Sequence, residues 1–314
     1  MSDNFAGKTE IEKTVLVTGA TGFIGQFLIP ELLADGWRVI AYVRPLPNRI
    51  VKVPGSSVRV ISSLAGLQGQ PGIDACINLA GEGLFNKRWT AARKRVLMDS
   101  RIGVTRQLRK CLERLDIRPD VLISGSAVGY YGMHGSDVNL VEQDKPGDGF
   151  AADLCRLWEK EARIMETLGT RVCLLRTGIV LHPDYGALSR MLPPFRFGAG
   201  GRMGDGHQVV SWIHISDVVS IILFLLRNSS LSGAVNATAP HAVTNKQLAQ
   251  TLASTLHRPC LIPIPGPVLH MLLGESASLL LGGQRVIPAK VMEHGFSFAF
   301  PELDDALKDL LPGR

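Results

Sequence analysis

Residues 14–25 read Thr14-Val15-Leu16-Val17-Thr18-Gly19-Ala20-Thr21-Gly22-Phe23-Ile24-Gly25. Residues 14–17 are a short β-branched, apolar run and predict a strand. Behind the glycines, Phe27, Leu28, Leu32 and Leu33 carry a helical pattern that Gly36 stops. Between strand and helix, Gly19 permits a tight turn and Gly22 lets the backbone approach a pyrophosphate. Gly25 lets helix and strand pack closely, and the helix N-terminus attracts phosphate. Three glycines alone would also serve a plain βα turn. The strand–turn–helix order is what makes Gly19, Thr21, Gly22, Phe23, Ile24 and Gly25 candidate dinucleotide ligands.

Outward from this stretch, strand-like runs recur at 39–43, 58–61, 75–79, 121–124 and 172–175. Helical patterns fit between them, notably at 90–115 and 151–168. Such alternation predicts an α/β fold, a Rossmann-like doubly wound parallel sheet with right-handed crossovers. Past residue 180 the pattern breaks. Pro193-Pro194 and the glycine-rich 198–206 predict a loop. A strand at 209–213, a buried helix at 218–226, a strand at 234–238 and helices at 245–256 and 268–281 follow. The expected division is an NADP(H)-binding domain over 12–181, with the strand near 234–238 added to its sheet, and a smaller substrate-side C-terminal region over 182–314.

The residue after the second strand chooses the nucleotide. NAD binders place Asp or Glu there to hold the ribose 2′-hydroxyl. Here the strand ends Tyr42-Val43-Arg44-Pro45, without an acid. Arg44 suits charge-assisted hydrogen bonds to a 2′-phosphate, which makes NADP(H) the expected cofactor. The alternative is a solvated surface arginine. Leu79 at the end of the fourth strand and Ala80, Gly81 and Glu82 after it join the expected cofactor set, Glu82 as a ligand-facing acid or as a turn residue.

Composition narrows the classes. The chain has 314 residues, 46% hydrophobic and 20% charged, which supplies a large core and excludes disorder. Residues 1–13 are polar and hold no signal-peptide core. The longest apolar run, 218–226, is too short to span a bilayer. The five cysteines, Cys76, Cys111, Cys155, Cys173 and Cys260, show no paired spacing. Reduced thiols in a cytoplasmic protein are expected, with no disulfide framework, no metal site and no membrane partner. The net charge of +6 fits an anionic cofactor or substrate as well as nucleic acid. The basic run Lys87, Arg88, Arg93, Lys94, Arg95, Arg101, Arg106 has no aromatic interleaving. It reads as a solvated face with individual phosphate ligands, so a small molecule and no nucleic acid is the expected partner.

Further motifs carry a resemblance. They are Asn78-Leu79-Ala80-Gly81-Glu82, Lys87-Arg88-Trp89-Thr90, Asp99-Ser100-Arg101, and Ser124-Gly125-Ser126-Ala127-Val128-Gly129-Tyr130-Tyr131-Gly132. They continue with Leu175-Arg176-Thr177-Gly178, Gly204-Asp205-Gly206 before Ser211-Trp212-Ile213-His214, and Leu281-Gly282-Gly283-Gln284-Arg285-Val286. From residue 14 to 309 the chain resembles the extended short-chain dehydrogenase/reductases, and within them an atypical branch labelled epimerase family proteins. The resemblance implies a Rossmann domain, a nicotinamide cofactor and a C-terminal region of undefined role. It also implies a catalytic Ser, which Ser126 fits, and a Tyr-x-x-x-Lys pair whose Lys lowers the Tyr pKa. The pattern departs there: aligned on Glu159, Ala151 stands at the Tyr position and Cys155 at the Lys position. Tyr130 is the substitute expected to act with Ser126. On the substrate side, Arg202 or Arg285 would hold an anionic group, and His214 is either a cleft residue or a structural one. The expected function is an NADP(H)-dependent oxidoreductase or epimerase-like protein. The alternative is a non-catalytic NADP(H) sensor.

Overall fold

A computed structural model describes residues 13–44, 55, 58–135 and 138–312. The first half runs β1 (Thr14–Thr18), α1 (Phe23–Ala34), β2 (Arg38–Tyr42), β3 (Arg59–Ile61), β4 (Ala75–Asn78), α2 (Ala91–Met98), α3 (Val104–Arg114), β5 (Val121–Ala127), β6 (Asn139–Leu140), α4 (Phe150–Arg163) and β7 (Arg171–Thr177). The second half runs β8 (Ile179–His182), α5 (Gly186–Arg196), β9 (Val209–Val210), β10 (Trp212–His214), α6 (Ile215–Arg227), β11 (Gly233–Ala237), β12 (Val243–Thr244), α7 (Asn245–Thr255), α8 (Gly266–Leu273), α9 (Ser278–Leu281), β13 (Arg285–Val286), α10 (Ala289–Glu293) and α11 (Leu303–Leu310).

Seven strands form one parallel sheet in the order β11-β7-β5-β4-β1-β2-β3. The chain winds outward from β1 in both directions, so a crevice opens at the carboxyl ends of β1 and β4, where ligands of doubly wound sheets bind. Alternate residues of each strand feed opposite faces. Val15, Val17, Ile77, Ile123 and Leu175 pack with α1 and α6 through Leu28, Leu32, Val218 and Ile222. Leu16, Ile40, Cys76, Leu122 and Leu174 pack with α3, the end of α4 and the turn after it through Leu108, Leu112, Ala162 and Met165. This is the expected Rossmann-like α/β architecture. A separate cluster of Leu188, Leu192, Trp212, Leu252 and Leu307 forms the heart of the later region. Among the described residues no helix is long and apolar enough to cross a membrane.

Four expectations are corrected. The helix expected over 90–115 is interrupted by a π-helical turn at Asp99–Gly103. Pro193-Pro194 lies inside α5, not in a loop. The buried Leu188, Leu192 and Phe195 pack that helix onto the core, and packing overrides the two missing N–H groups. The strand expected over 209–213 is two strands, because the chain changes partner at Ser211. β9 pairs antiparallel with β12, and β10 pairs parallel with β8. The helix expected over 268–281 breaks at Gly274, whose φ of 63° is left-handed.

The chain's last stretch is pinned by one buried carboxylate. Asp217, in the first turn of α6, accepts from the backbone N–H of Ala299 at 2.8 Å and of Phe300 at 3.0 Å. Asp217→Asn would turn an amide N–H toward a backbone N–H. It is expected to cost about 1–3 kcal/mol in urea unfolding, and a loss below experimental error would refute this role.

Candidate functional site

The turn after β1 is built by close approach. Gly19 has φ +70°, and a Cβ there would stand 2.6 Å from the carbonyl carbon of Leu79, just past β4. A Cβ on Gly25 would stand 2.4 Å from the Gly19 oxygen. The Gly22 N–H closes the turn onto that same oxygen at 2.9 Å. Gly22 is the N-cap of α1, so no side chain caps this helix and no acid occupies its first turn. In contrast, Thr90, His214 and Thr244 cap α2, α6 and α7 with their side chains. The leading N–H groups of α1 are thus left for an outside anion, and the residues present fit the pyrophosphate of a dinucleotide. Thr21 is exposed, and Phe23 and Ile24 are half-buried. The Phe23 ring stacks on Tyr185 at 5.2 Å.

Arg44 follows β2 and is 59% exposed. Its Nη2 lies 3.3 Å from Glu82 Oε1, and Arg93 Nη2 lies 3.4 Å from Glu82 Oε2. Glu82 therefore lies between two guanidinium groups. The loop it belongs to, 79–82, runs directly against the glycine turn. Arg93 escaped notice in the sequence because it sits in a basic run that reads as a solvated face. Arg190 Nη1 donates to the Phe85 carbonyl at 3.0 Å and Nη2 to Asn86 Oδ1 at 2.8 Å. Lys94 pairs with Glu275 at 2.6 Å. The segment after β4 is thus tied to both α5 and the turn after α8.

Ser126 ends β5 and is buried. Its hydroxyl donates to Glu159 Oε1 at 2.7 Å. Arg176 of β7 answers the same carboxylate twice, Nε to Oε1 at 2.8 Å and Nη2 to Oε2 at 3.0 Å. Its Nη1 donates to Tyr131 Oη at 2.9 Å and to the Glu142 carbonyl at 3.2 Å. Tyr131 in turn donates to Asn236 Oδ1 at 2.7 Å. Burial works against the Arg176 charge, but Glu159 outweighs it and raises the pKa above the ordinary guanidinium range. Burial also pushes the Tyr131 phenol up to about 12, with Arg176 opposing. Of the two neighbouring tyrosines, Tyr131 is wholly buried and Tyr130 half-buried. Arg176 stacks 3.5 Å from the Tyr130 ring centroid. The Tyr130 hydroxyl has no partner among the described residues. On α4, Ala151 lies beside Gly129, and Cys155 lies near Ser126 and Ala127. Nothing in the sequence marks Glu159 and Arg176 as partners, since they are 17 residues apart on different elements.

The three substrate-side candidates are dispersed. Arg202 is exposed beside a hollow of about 70 Å³ that Lys246, Gln250 and Cys260 share. Arg285 is half-buried on β13, and its Nη1 donates to the Ala242 carbonyl at 3.3 Å. His214 is 2% exposed. Its Nδ1 accepts from the Ser216 N–H at 3.1 Å, its Nε2 lies 3.3 Å from Asp309 Oδ2, and its ring lies 4.0 Å from that of Phe300. It packs α11 onto α6. All five cysteines are free, and no group of His, Cys, Asp and Glu able to hold a metal occurs among the described residues.

The profile of the NAD dependent epimerase/dehydratase family matches residues 15–237. The chain belongs to this family. Residues 264–310 match a domain of unknown function, DUF1731. The epimerase family protein YfhF of Bacillus subtilis is 36% identical over 300 residues, covering 96% of this chain and 98% of its own. Human epimerase family protein SDR39U1 is 37% identical over 303 residues, covering 95% and 99%. A crystal structure of human SDR39U1 (isoform 2) with NADPH superposes with a TM-score of 0.85 at 34% identity, covering 96% of this chain and all of that one. The family resemblance read from the motifs is therefore right, in both fold and branch.

Two outcomes follow from the buried groups. Arg176→Met would strand the Glu159 carboxylate and is expected to cost about 3–5 kcal/mol in chemical unfolding. Arg176→Met with Glu159→Leu should recover much of that loss. A single-variant loss under about 1 kcal/mol would contradict the pairing. His214 gives a pH signature. Burial holds its pKa below the ordinary 6.5, with His182 adding to burial and Asp309 opposing. A pKa lowered on folding means that the unfolded chain binds more protons below 6.5, so stability falls as pH drops through that value. His214→Asn, which keeps a capping oxygen but cannot titrate, should show a shallower fall in Tm between about pH 7 and 5.

Proposed function

We propose that this protein binds NADP(H) across the α1 N-terminus and works as an oxidoreductase on a small-molecule substrate held between the strand ends and the region 182–314. The observation that carries the cofactor choice is Arg44. It stands at the end of β2 with no acid beside it on that strand, and among the described residues it pairs with the part-exposed Glu82. A 2′-phosphate would meet a guanidinium there, and a bare ribose would meet no carboxylate on β2. The NADPH in the human relative's structure supports the same choice. Five free cysteines fit the reducing cytoplasm.

When bound, NADP(H) supplies or accepts the hydride. The chain's own part is positional. The Ser126 proton is committed to Glu159, so Ser126 can accept a hydrogen bond from a substrate but cannot donate one. Tyr130, whose ring is held on Arg176, is the hydroxyl left to move a proton at the substrate oxygen. Arg202 or Arg285 would hold an anionic group of that substrate. A second reading, an NADP(H) sensor without turnover, is favoured by one observation: Ala151 and Cys155 leave α4 with no phenol and no ammonium beside Ser126.

Fluorescence titration with NADPH and NADH tests the cofactor. NADPH should bind more tightly, and Arg44→Glu should weaken NADPH by about 1.5–3 kcal/mol while barely moving NADH. Gly22→Val serves as the non-binding control. Equal affinities in the native protein would overturn the choice. NADPH consumption across a panel of carbonyl metabolites, lost in Tyr130→Phe with unchanged NADPH affinity, supports the enzyme. Tight binding with no turnover supports the sensor.

A further inference from the structure

Two guanidinium groups lie behind the carboxyl ends of β4, β5 and β7, and they are satisfied in opposite ways. Arg176 is neutralised by Glu159. Arg101, in the π-helical turn between α2 and α3, has only neutral acceptors. Its Nη2 donates to the Glu82 carbonyl at 2.9 Å, and its Nη1 contacts the Leu97 carbonyl at 3.3 Å and Ser100 Oγ at 3.4 Å. Its Nε donates to no described residue. Burial pulls its pKa down, and the Glu82 charge works against that pull. The side chain is only half-buried and its Nε is not enclosed, so that N–H is open to an outside acceptor.

Its placement is built, not incidental. Thr18 Oγ1 donates to Asn78 Oδ1 at 2.6 Å, and Asn78 Nδ2 donates to Thr105 Oγ1 at 2.8 Å. Trp158 Nε1 donates to the same Thr105 oxygen at 3.1 Å, and that hydroxyl donates to the Arg101 carbonyl at 2.7 Å. This chain of bonds fixes the π-helical turn from the end of β1. The guanidinium then lies 5.4 Å from the Trp158 ring and against Gly81, where a Cβ would stand 3.1 Å from Cζ. The other side of that loop faces the glycine turn. The loop 79–82 is therefore one peptide layer between the pyrophosphate cradle and Arg101. Cys155 shares a face of α4 with Trp158, three residues on. β2 and β3 lie on one side of the cradle, with Arg44. β4, β5 and Arg101 lie on the other, under the opposite half of a dinucleotide.

We propose that Arg101 is a cofactor-binding residue for the nicotinamide half of NADP(H), supplying from the π-helical turn the cation that Cys155 cannot supply from α4. Ribose hydroxyls and the nicotinamide carbonyl are acceptors of the kind its remaining N–H groups lack. The inference rests on the NADP(H) reading above, and the test separates the two. Kd values are measured for NADPH and for adenosine 2′,5′-bisphosphate, which lacks the nicotinamide half. The proteins are native, Arg101→Met, Arg101→Lys and Arg44→Glu. Arg101→Met should weaken NADPH about tenfold or more and leave the bisphosphate within twofold, while Arg44→Glu weakens both. Arg101→Lys, which keeps charge without the planar fork, should fall between native and Met. It gives the same comparison if the Met variant does not fold. NADPH affinity within twofold of native in both Arg101 variants would overturn the proposal, as would equal weakening of the two ligands. No NADPH binding by the folded native protein would overturn the cofactor reading itself, and this inference with it.

Discussion

A guanidinium taken out of water must be neutralised where it sits, and the site is arranged around the one at Arg176. Glu159 does this from α4, with both carboxylate oxygens engaged. To place it there, α4 must lie against β5 and β7 in one register, and the same register brings Ala151 to Gly129 and Cys155 to Ser126. The remaining donors of Arg176 reach Tyr131 and the Glu142 carbonyl, and Tyr131 reaches Asn236 on β11. Asn236 donates to the Ile287 carbonyl at 2.9 Å, just past β13. One ion pair thus joins β5, β7, β11 and α4 to the C-terminal stretch. Removing either partner would leave an unpaired buried charge, not simply one contact fewer.

This arrangement has a chemical consequence. A carboxylate that neutralises an arginine also fixes the proton of Ser126, because the hydroxyl is the third donor to the same group. Ser126 therefore has no proton left for a second acceptor, whereas Tyr130 and Arg101 keep donors that no described residue takes. Tyr130 lies on the Arg176 stack, and Arg101 lies beneath the cofactor loop.

Much of the fold was legible because short-range rules wrote it. The glycine turn, the parallel strands and the alternation with helices follow from local pattern and backbone freedom. So did the branch, since its motifs sit at strand ends where backbone geometry restricts choice. What was hidden depends on partners distant in sequence. The π-helical turn at Asp99–Gly103 is set by Thr105 bonding to Asn78 and Trp158, 27 and 53 residues away, and no periodicity encodes that. Arg101 and Arg93 read as members of a solvated basic run, yet Arg101 is folded inward by that turn. Pro193-Pro194 reads as a breaker until Leu192 and Phe195 supply the packing that holds the helix. His214 reads ambiguously because its environment comes from Phe300 and Asp309, near the other end of the chain.

The loop between β4 and α2 touches elements from both halves of the chain. Its first residues lie on the glycine turn and on Arg101. Its middle is held by Arg190 of α5. Beyond it, Arg88 donates to the Leu272 carbonyl at 2.9 Å and Lys94 pairs with Glu275. These outer contacts are exposed and individually weak, whereas the inner ones, from Ser100 and Arg101 to the Glu82 backbone, are part-buried.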